Sequence, residues 1–275
     1  MTFGSRLRDA MDARGPLCAG IDPHPALLDA WGMTDSAVGL ERFSLTAVES
    51  LAGCVAALKP QSAFFERHGS KGIAVLEKVI AEARGMGVLV ILDVKRGDIG
   101  STAQAYADAY LDPSSPLAVD AITASPFLGF GSLDPMIDTA LANDAGVFVL
   151  ALTSNPEGPE VQHARTADGR TVAGTVLAAI SARNAGAEPM GSVGAVVGAT
   201  IGETHEDLAV NGPLLVPGLG AQGGTVSDVR RIFGDASANV LVSSSREILT
   251  AGPDKAALHA AALETARDLA VLAEA

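Results

Sequence analysis

The sequence predicts an α/β chain folded as a (β/α)8 TIM barrel, a single domain over residues 1–275 with an insertion at about 155–171. Three observations lead there. The length of 275 residues is close to the ~250 usual for this fold. Eight short apolar runs recur, mostly at the roughly 30-residue spacing of βα units. The unusual polar residues Asp22, Lys59, Asp93, Lys95, Ser154, Gln222 and Arg246 each stand at or just beyond the carboxyl end of such a run. In an α/β barrel that end is the active-site face, and random surface charge would not sort itself that way.

Composition narrows the classes of function. Hydrophobic residues make up 48% of the chain, enough to fill a large core, and charge blocks and low-complexity tracts are missing. A net charge of −13 disfavours nucleic-acid polymers, whose backbones call for basic patches. An anionic small substrate would need local positive charge set against that background. Met1-Thr2-Phe3-Gly4-Ser5-Arg6 lacks the apolar core of a signal peptide, and no apolar run approaches the ~18 residues of a membrane span. The expectation is a cytoplasmic protein with no membrane partner. Cys18 and Cys54 lie inside apolar runs, fit neither a disulfide framework nor metal spacing, and read as buried free thiols.

Taken in order, residues 1–15 predict an amphipathic helix with Phe3, Leu7 and Met11 at fourfold spacing. A first strand at Pro16–Ile21 ends in Asp22-Pro23-His24-Pro25. A carboxylate fixed there suits sugar hydroxyls, or caps a helix from Ala26 onward. After a helix near Leu40–Ala52, the second strand, Cys54–Leu58, delivers Lys59-Pro60-Gln61. A lysine directly after Val-Ala-Ala-Leu is costly to bury unless paired, so it either snorkels or functions.

A helix near Lys71–Gly85 precedes Val88–Leu92, a run apolar enough to be buried on both faces. Charge then arrives abruptly in Asp93-Val94-Lys95-Arg96-Gly97-Asp98. In extended chain Asp93 and Lys95 share a face, roughly 6–7 Å apart. Alone, such a pair reads equally as a surface ion pair worth about 0–1 kcal/mol. Ser101 or Thr102 is expected to cap a helix over Ala103–Ala109.

The fourth strand is Ala118–Thr123 and the fifth Gly146–Leu152, followed by Thr153-Ser154-Asn155-Pro156. Residues 155–171 are polar and too long for an ordinary connection, which suggests a lid or a disordered insertion. A helix over Val172–Asn184, a sixth strand at Val193–Ala199 and a short helix near Glu203–Val210 lead to the seventh strand, Leu214–Pro217. That strand runs into Gly218-Leu219-Gly220-Ala221-Gln222-Gly223-Gly224, whose glycines let backbone N–H groups approach a ligand, as phosphate sites require. The eighth strand, Asn239–Ser243, delivers Ser244-Ser245-Arg246 before a terminal helix near Lys255–Glu274. Phosphate commonly binds after strands seven and eight of such barrels.

Adjacent strands thus bring Lys59 beside Asp93 and Lys95, with Asp98 just beyond. Opposite charges keep one another ionised, and a pre-ordered array needs no reorganisation during reaction. Such an array suits a substrate whose negative charge moves from a departing carboxylate to the adjacent carbon, where an ammonium stabilises and protonates it. The lysines supply the positive charge, so no metal and no cofactor is expected.

Asp93-x-Lys95-x-x-Asp98, with Lys59 on the preceding strand, Pro217-Gly218-Leu219-Gly220-Ala221-Gln222-Gly223-Gly224 and Arg246, resembles the orotidine 5′-phosphate decarboxylase family. Leu58-Lys59-Pro60-Gln61 through Ala63-Phe64-Phe65-Glu66, together with the insertion after strand five, resembles a branch found in many bacteria. The resemblance implies conversion of orotidine 5′-monophosphate to UMP and CO2, in pyrimidine synthesis, without a cofactor. By motif, Asp22 and Lys59 would contact ribose hydroxyls, Lys59 and Asp93 would belong to the charged array, and Lys95 would protonate C6. Asp98, Ile99 and Thr102 would enter the site of a partner subunit in a homodimer. Ser154 would contact the pyrimidine. Pro217, Gln222, Ser245 and Arg246 would form the phosphate end, Ser245 standing where many relatives have glycine.

Related phosphate-binding barrels, the keto-gulonate phosphate decarboxylases and hexulose phosphate synthases, carry a similar Asp-x-Lys-x-x-Asp but use Mg²⁺ and an acidic residue in place of Lys59. A Schiff-base aldolase using Lys95 is opposed by the flanking aspartates, which favour an ammonium over the free amine. A non-catalytic nucleotide-binding barrel would have no use for carboxylates aimed at an acidic ligand. His24, His68, His163, His205 and His259 read as surface or capping residues, and Trp31 as packing.

Overall fold

The structure, a computed structural model, describes residues 1–220 and 223–274. Eight parallel strands close in sequence order: β1 (Leu17–Ile21), β2 (Ala57–Pro60), β3 (Leu89–Arg96), β4 (Ala121–Ala124), β5 (Gly146–Leu152), β6 (Val193–Val197), β7 (Leu214–Pro217) and β8 (Val240–Ser244). Closure is made by β8 on β1, with Leu17 opposite Val242. The predicted (β/α)8 barrel is therefore the fold.

Alternation along each strand sorts side chains into two cores. Outward residues such as Leu58, Val90, Leu92, Ile122 and Val147 pack with the surrounding helices. Inward residues, among them Cys18, Ala57, Leu89, Ile91, Ala121, Phe148, Val196, Leu215 and Leu241, fill the barrel's lower interior. Helix α1 (Phe3–Arg14) plugs its amino-terminal end. Phe3, Leu7 and Met11 join that inner cluster, and Phe3 meets Phe148 edge-on at 5.9 Å. Fully burying each such large side chain contributes about 1.5–3 kcal/mol. The amphipathic reading of residues 1–15 holds, as do the buried free thiols Cys18 and Cys54.

Several expected boundaries move. β2 begins at Ala57 and continues through Lys59 and Pro60, which pair with Gly20 and Ile21 of β1. Apolarity ends before pairing does, because Lys59 has a buried partner on β3. Residues 203–210 form no helix: Thr204 accepts the Glu206 amide and Asp207 accepts the Ala209 amide, local turns that compete with helical bonding. The helix after β3 spans Gly100–Leu111 with Ile99 at its cap position and no side-chain cap, so neither Ser101 nor Thr102 caps it. The segment after β5 is folded: with a helix at Gly158–Gln162 and a bridge between Arg165 and Thr171, it is not the disordered insertion that was one of its two expected forms. The terminal helix ends at Leu269 and tightens into a 3-10 turn over Ala270–Glu274.

Candidate active site

One step above the apolar interior, the same inward alternation turns polar. Ala57 leads to Lys59, Ile91 to Asp93, Ala121 to Thr123 and Leu241 to Ser243, while Cys18 leads to Gly20 and then Asp22. Of these, Asp22, Lys59, Asp93 and Ser243 line a cavity of about 830 Å³ at the carboxyl ends of the strands, together with Lys95, Ser154, Pro217, Ser245 and Arg246 among others. Eight of the twelve predicted site residues meet there.

Asp93 is the hub. It is 7% exposed and Lys59 6%. Its Oδ2 accepts from Lys59 Nζ at 3.0 Å and from Gln61 Nε2 at 2.9 Å. Its Oδ1 accepts from Lys95 Nζ at 2.5 Å and from Thr123 Oγ1 at 2.8 Å. A carboxylate offers about four lone-pair directions, so this one is fully engaged and cannot rotate freely. Burial opposes both buried charges, yet the pairing overrides it. The Lys59 and Lys95 ammoniums hold the Asp93 carboxyl well below the usual carboxylate range. Asp93, and then Asp22, hold the Lys59 ammonium above its ordinary value. Lys59 therefore does not snorkel. Beneath the array, burial pushes the Cys18 thiol up to about 12, which keeps it protonated.

Asp93 and Lys95 do point the same way, but not along a regular strand. β3 and β4 stay in register through Leu92–Ile122, then resume at Arg96–Ala124. Lys95 sits between at φ 44°, in the left-handed region that is sparsely used by non-glycine residues. The kink lifts its ammonium into the open cavity, where the side chain is 48% exposed. Arg96 turns outward, donates to Glu66 at 2.6 Å and lies 5.5 Å from the centroid of the Tyr106 ring. Gly97 lets the chain turn away: a Cβ there would stand 2.3 Å from the Ser125 carbonyl oxygen.

At the other wall, Gly20 makes room for Ser245 and Asp22; a Cβ at Gly20 would lie 2.7 Å from the Ser245 Cβ. Asp22 Oδ1 and Ser245 Oγ are buried without a partner. Asp22 caps no helix, since His24 holds the cap position of Pro25–Ala30 and gives no side-chain bond. Of the two roles open for Asp22, only the cavity role remains. His24 is not an ordinary surface residue either: its ring packs against that of Phe64 at a tilt of 58° with centroids 4.2 Å apart, and both line the cavity.

Ser154 is exposed at the rim. The folded segment behind it holds the strand end in place, Gln162 accepting from the Thr153 amide at 2.9 Å and donating to its hydroxyl at 2.6 Å. Asp98, Ile99 and Thr102 do not line the cavity of their own chain. Asp98 accepts from the Ile99 amide at 2.8 Å, and Ile99 is exposed, as are Phe127 and Leu128. Gln222 lies outside the described residues. The sequence reading missed Gln61 and Thr123, the two neutral donors to Asp93. Among the described residues no cluster of three or more His, Cys, Asp or Glu is placed to hold a metal ion, and no helix is long and apolar enough to cross a membrane.

Residues 15–261 match the model of the orotidine 5′-phosphate decarboxylase / HUMPS family. An orotidine 5′-phosphate decarboxylase from a Nocardioides species is 68% identical over 250 residues, covering 90% of this chain and 91% of that protein. A crystal structure of a candidate orotidine 5′-phosphate decarboxylase from Streptomyces avermitilis superposes with a TM-score of 0.97 at 58% identity, covering 100% of this chain and 96% of that one. The OMP decarboxylase of Leishmania donovani superposes with a TM-score of 0.78 at 30% identity over the whole of both chains.

Proposed function

The chain belongs to the orotidine 5′-phosphate decarboxylase / HUMPS family, and from that membership we propose that it converts orotidine 5′-monophosphate to UMP and CO2 through the Lys59–Asp93–Lys95 array. The observation that carries the reading is the buried Asp93 held between two ammoniums. Within this family, an ammonium at Lys59 favours decarboxylation of a nucleotide over the Mg²⁺-dependent sugar-phosphate reactions, whose barrels resemble this one but place an acid there.

The chemistry follows from the layout. The substrate's phosphate lies at the Arg246 end, against Pro217, Gly218, Ser245 and the Gln222 loop. Arg246 is suited to it, since a guanidinium binds phosphate through paired charge-assisted bonds. Ribose hydroxyls meet Asp22, whose Oδ1 is unpartnered, and Lys59. The pyrimidine reaches Ser154, which places its C6 carboxylate over Asp93. As the C6–carboxyl bond breaks, CO2 departs and the electron pair stays on C6. The Lys95 ammonium stabilises that charge and transfers a proton to C6, giving UMP and a neutral amine that regains a proton from solvent. Asp93 disfavours the bound carboxylate while holding both ammoniums in place, so the array favours the transition state over the ground state. No cofactor enters the scheme.

Asp98, Ile99 and Thr102 complete the site from a partner subunit. Exposed Ile99, Phe127 and Leu128 give a homodimer an apolar surface to cover, and Asp98 would then add a second carboxylate opposite Lys95. The protein acts in the cytoplasm, in pyrimidine biosynthesis. The test is to follow loss of orotidylate absorbance with purified protein in excess chelator. Turnover in chelator supports the reading; no turnover, or activity only on sugar phosphates with Mg²⁺, overturns it.

A further inference from the structure

The kink that presents Lys95 leaves the backbone of β3 with unmet needs. Between the paired positions Leu92–Ile122 and Arg96–Ala124, β3 has three residues, 93 to 95, where β4 has only Thr123. The amides of Val94 and Lys95 thus lose the ladder acceptors that a regular parallel pair would supply, and a buried amide without an acceptor is strongly disfavoured. The left-handed conformation of Lys95 adds about 1–3 kcal/mol of local strain, which persists only if its surroundings enforce it.

A single side chain answers both needs. Thr123 Oγ1 accepts from the Val94 amide at 3.0 Å and from the Lys95 amide at 2.9 Å, and donates its own proton to Asp93 Oδ1 at 2.8 Å. A hydroxyl has one proton and two lone pairs, so every bonding capacity of this 1%-exposed residue is spent on the segment 93–95. The same Asp93 oxygen that takes the Thr123 proton takes the Lys95 ammonium. The hydroxyl therefore fixes both ends of the Lys95 side chain: the backbone from which it springs and the carboxylate that holds its tip.

We propose that Thr123 is a positioning residue for decarboxylation, its hydroxyl holding the bulge of β3 in the one conformation that aims Lys95 at the reacting carbon. The residue touches no substrate and acts through Lys95 and Asp93. This inference rests on the reading of Lys95 as the proton donor. A side chain that kept the shape and lost the hydroxyl would leave two amides and one carboxylate lone pair unsatisfied. The kink would then relax or become mobile, and Lys95 would spend less time in reach. Affinity, which depends on Arg246 and the ribose contacts, would change far less.

The experiment compares Thr123→Val, nearly isosteric but without the hydroxyl, with Thr123→Ser, which keeps the hydroxyl and loses the methyl. Steady-state decarboxylation, UMP affinity and circular dichroism are measured beside the wild type. The expected result is a kcat at least tenfold lower for Thr123→Val with KM and UMP affinity within about threefold, and Thr123→Ser within about threefold of wild type in both. Equal kcat for Thr123→Val and wild type, or an inactive Thr123→Ser beside an active Thr123→Val, overturns the proposal, the second by showing that the methyl group is what matters. Should Thr123→Val not fold, amide hydrogen exchange on the unaltered protein decides: slow exchange at Val94 and Lys95 supports the clamp, and rates like those of open loops overturn it. A wild type that turns over no orotidylate would instead defeat the decarboxylase reading, a failure visible before any variant is made.

Discussion

Replacing Asp93 by Asn keeps the size of the side chain while removing its charge and one of its two acceptor oxygens, so its effect reads how far the array depends on that carboxylate. Lys59 Nζ stands 3.0 Å from Asp93 Oδ2. At an effective dielectric of 20, Coulomb's law gives a gross attraction of about 5–6 kcal/mol at that separation. Desolvation offsets much of it, and measured losses on breaking one half of a buried pair run at about 3–5 kcal/mol. Lys95, half exposed, adds little because water screens it. The geometry of Asn sharpens the result. An amide has one acceptor oxygen and one donor NH2, whereas both Asp93 oxygens face donors: Lys59 and Gln61 on one, Lys95 and Thr123 on the other. Whichever way the amide turns, donor meets donor. A loss of about 3–5 kcal/mol in a chain of this size lowers Tm by roughly 6–20 °C, at about 2–4 °C per kcal/mol. Turnover should fall by at least 10²–10³-fold, the usual effect of removing one preorganised charge-stabilising group. Thermal melts by circular dichroism and an orotidylate assay check both. A Tm within about 2 °C of wild type would refute the claim that a buried pair organises this site, and a kcat within tenfold would refute its role in catalysis.

The same pair sets a pH expectation. Asp93 is held below the ordinary aspartate value of 3.8, so its contribution is present above about pH 4 and lost as pH falls through the folded value; Lys59 is held above the ordinary 10.5, so its contribution is present below that and lost as pH rises through the folded value. The Tm difference between wild type and Asp93→Asn should therefore be flat from about pH 5 to 9, and a difference that halves inside that window would show the pair titrating there. Arg246→Ala should lower kcat/KM by roughly tenfold to 150-fold, the equivalent of about 1.5–3 kcal/mol for a charged hydrogen bond, while leaving Tm within about 1 °C because the side chain is exposed. Lys95→Ala, in contrast, should nearly abolish turnover yet still bind UMP, as steady-state kinetics and calorimetry would show. If Asp98 serves a partner's site, mixing inactive Lys95→Ala and Asp98→Ala proteins restores about a quarter of wild-type activity, since half of the mixed dimers are hybrids and each holds one intact site. No recovery after subunit exchange, verified by native mass spectrometry, would remove Asp98 from the partner's site.

How far the sequence could be read depended on which physical signal each residue carries. β5 and β7 fall where the apolar runs begin and end, because continuous apolarity bounded by Gly, Pro or polar residues is the signature of a strand buried on both faces. The end of β2 was hidden, since Lys59 stops the apolar run although the strand goes on. A lysine reads as a terminus until its partner on the neighbouring strand is known. The short helix expected near 203–210 gives way to turns made by Thr204 and Asp207, whose competing bonds leave no periodic trace in the sequence. The insertion after β5 is polar because its bonds run to side chains such as Gln162, not because it is unfolded.

The site itself was half visible for a sharper reason. Charge announces a residue, and Lys59, Asp93, Lys95 and Arg246 were found by charge at strand ends. Gln61 and Thr123 are neutral, and a threonine in a β-strand is unremarkable by propensity. Yet position would have found Thr123. Ala57 and Lys59, Ile91 and Asp93, Ala121 and Thr123 are successive inward-facing pairs, two residues apart on three neighbouring strands, and the inner cluster contains the first member of each. Because a closed barrel stacks its inward side chains in layers contributed by different strands, the polar floor of the cavity is one such layer. Its neutral members satisfy the charged ones, since a buried carboxylate with two ammoniums still has lone pairs to fill and a kinked strand still has amides to bond. A search for charges alone therefore recovers the groups that react and misses the groups that hold them still, whereas extending the period-two alternation one step past the apolar layer recovers both.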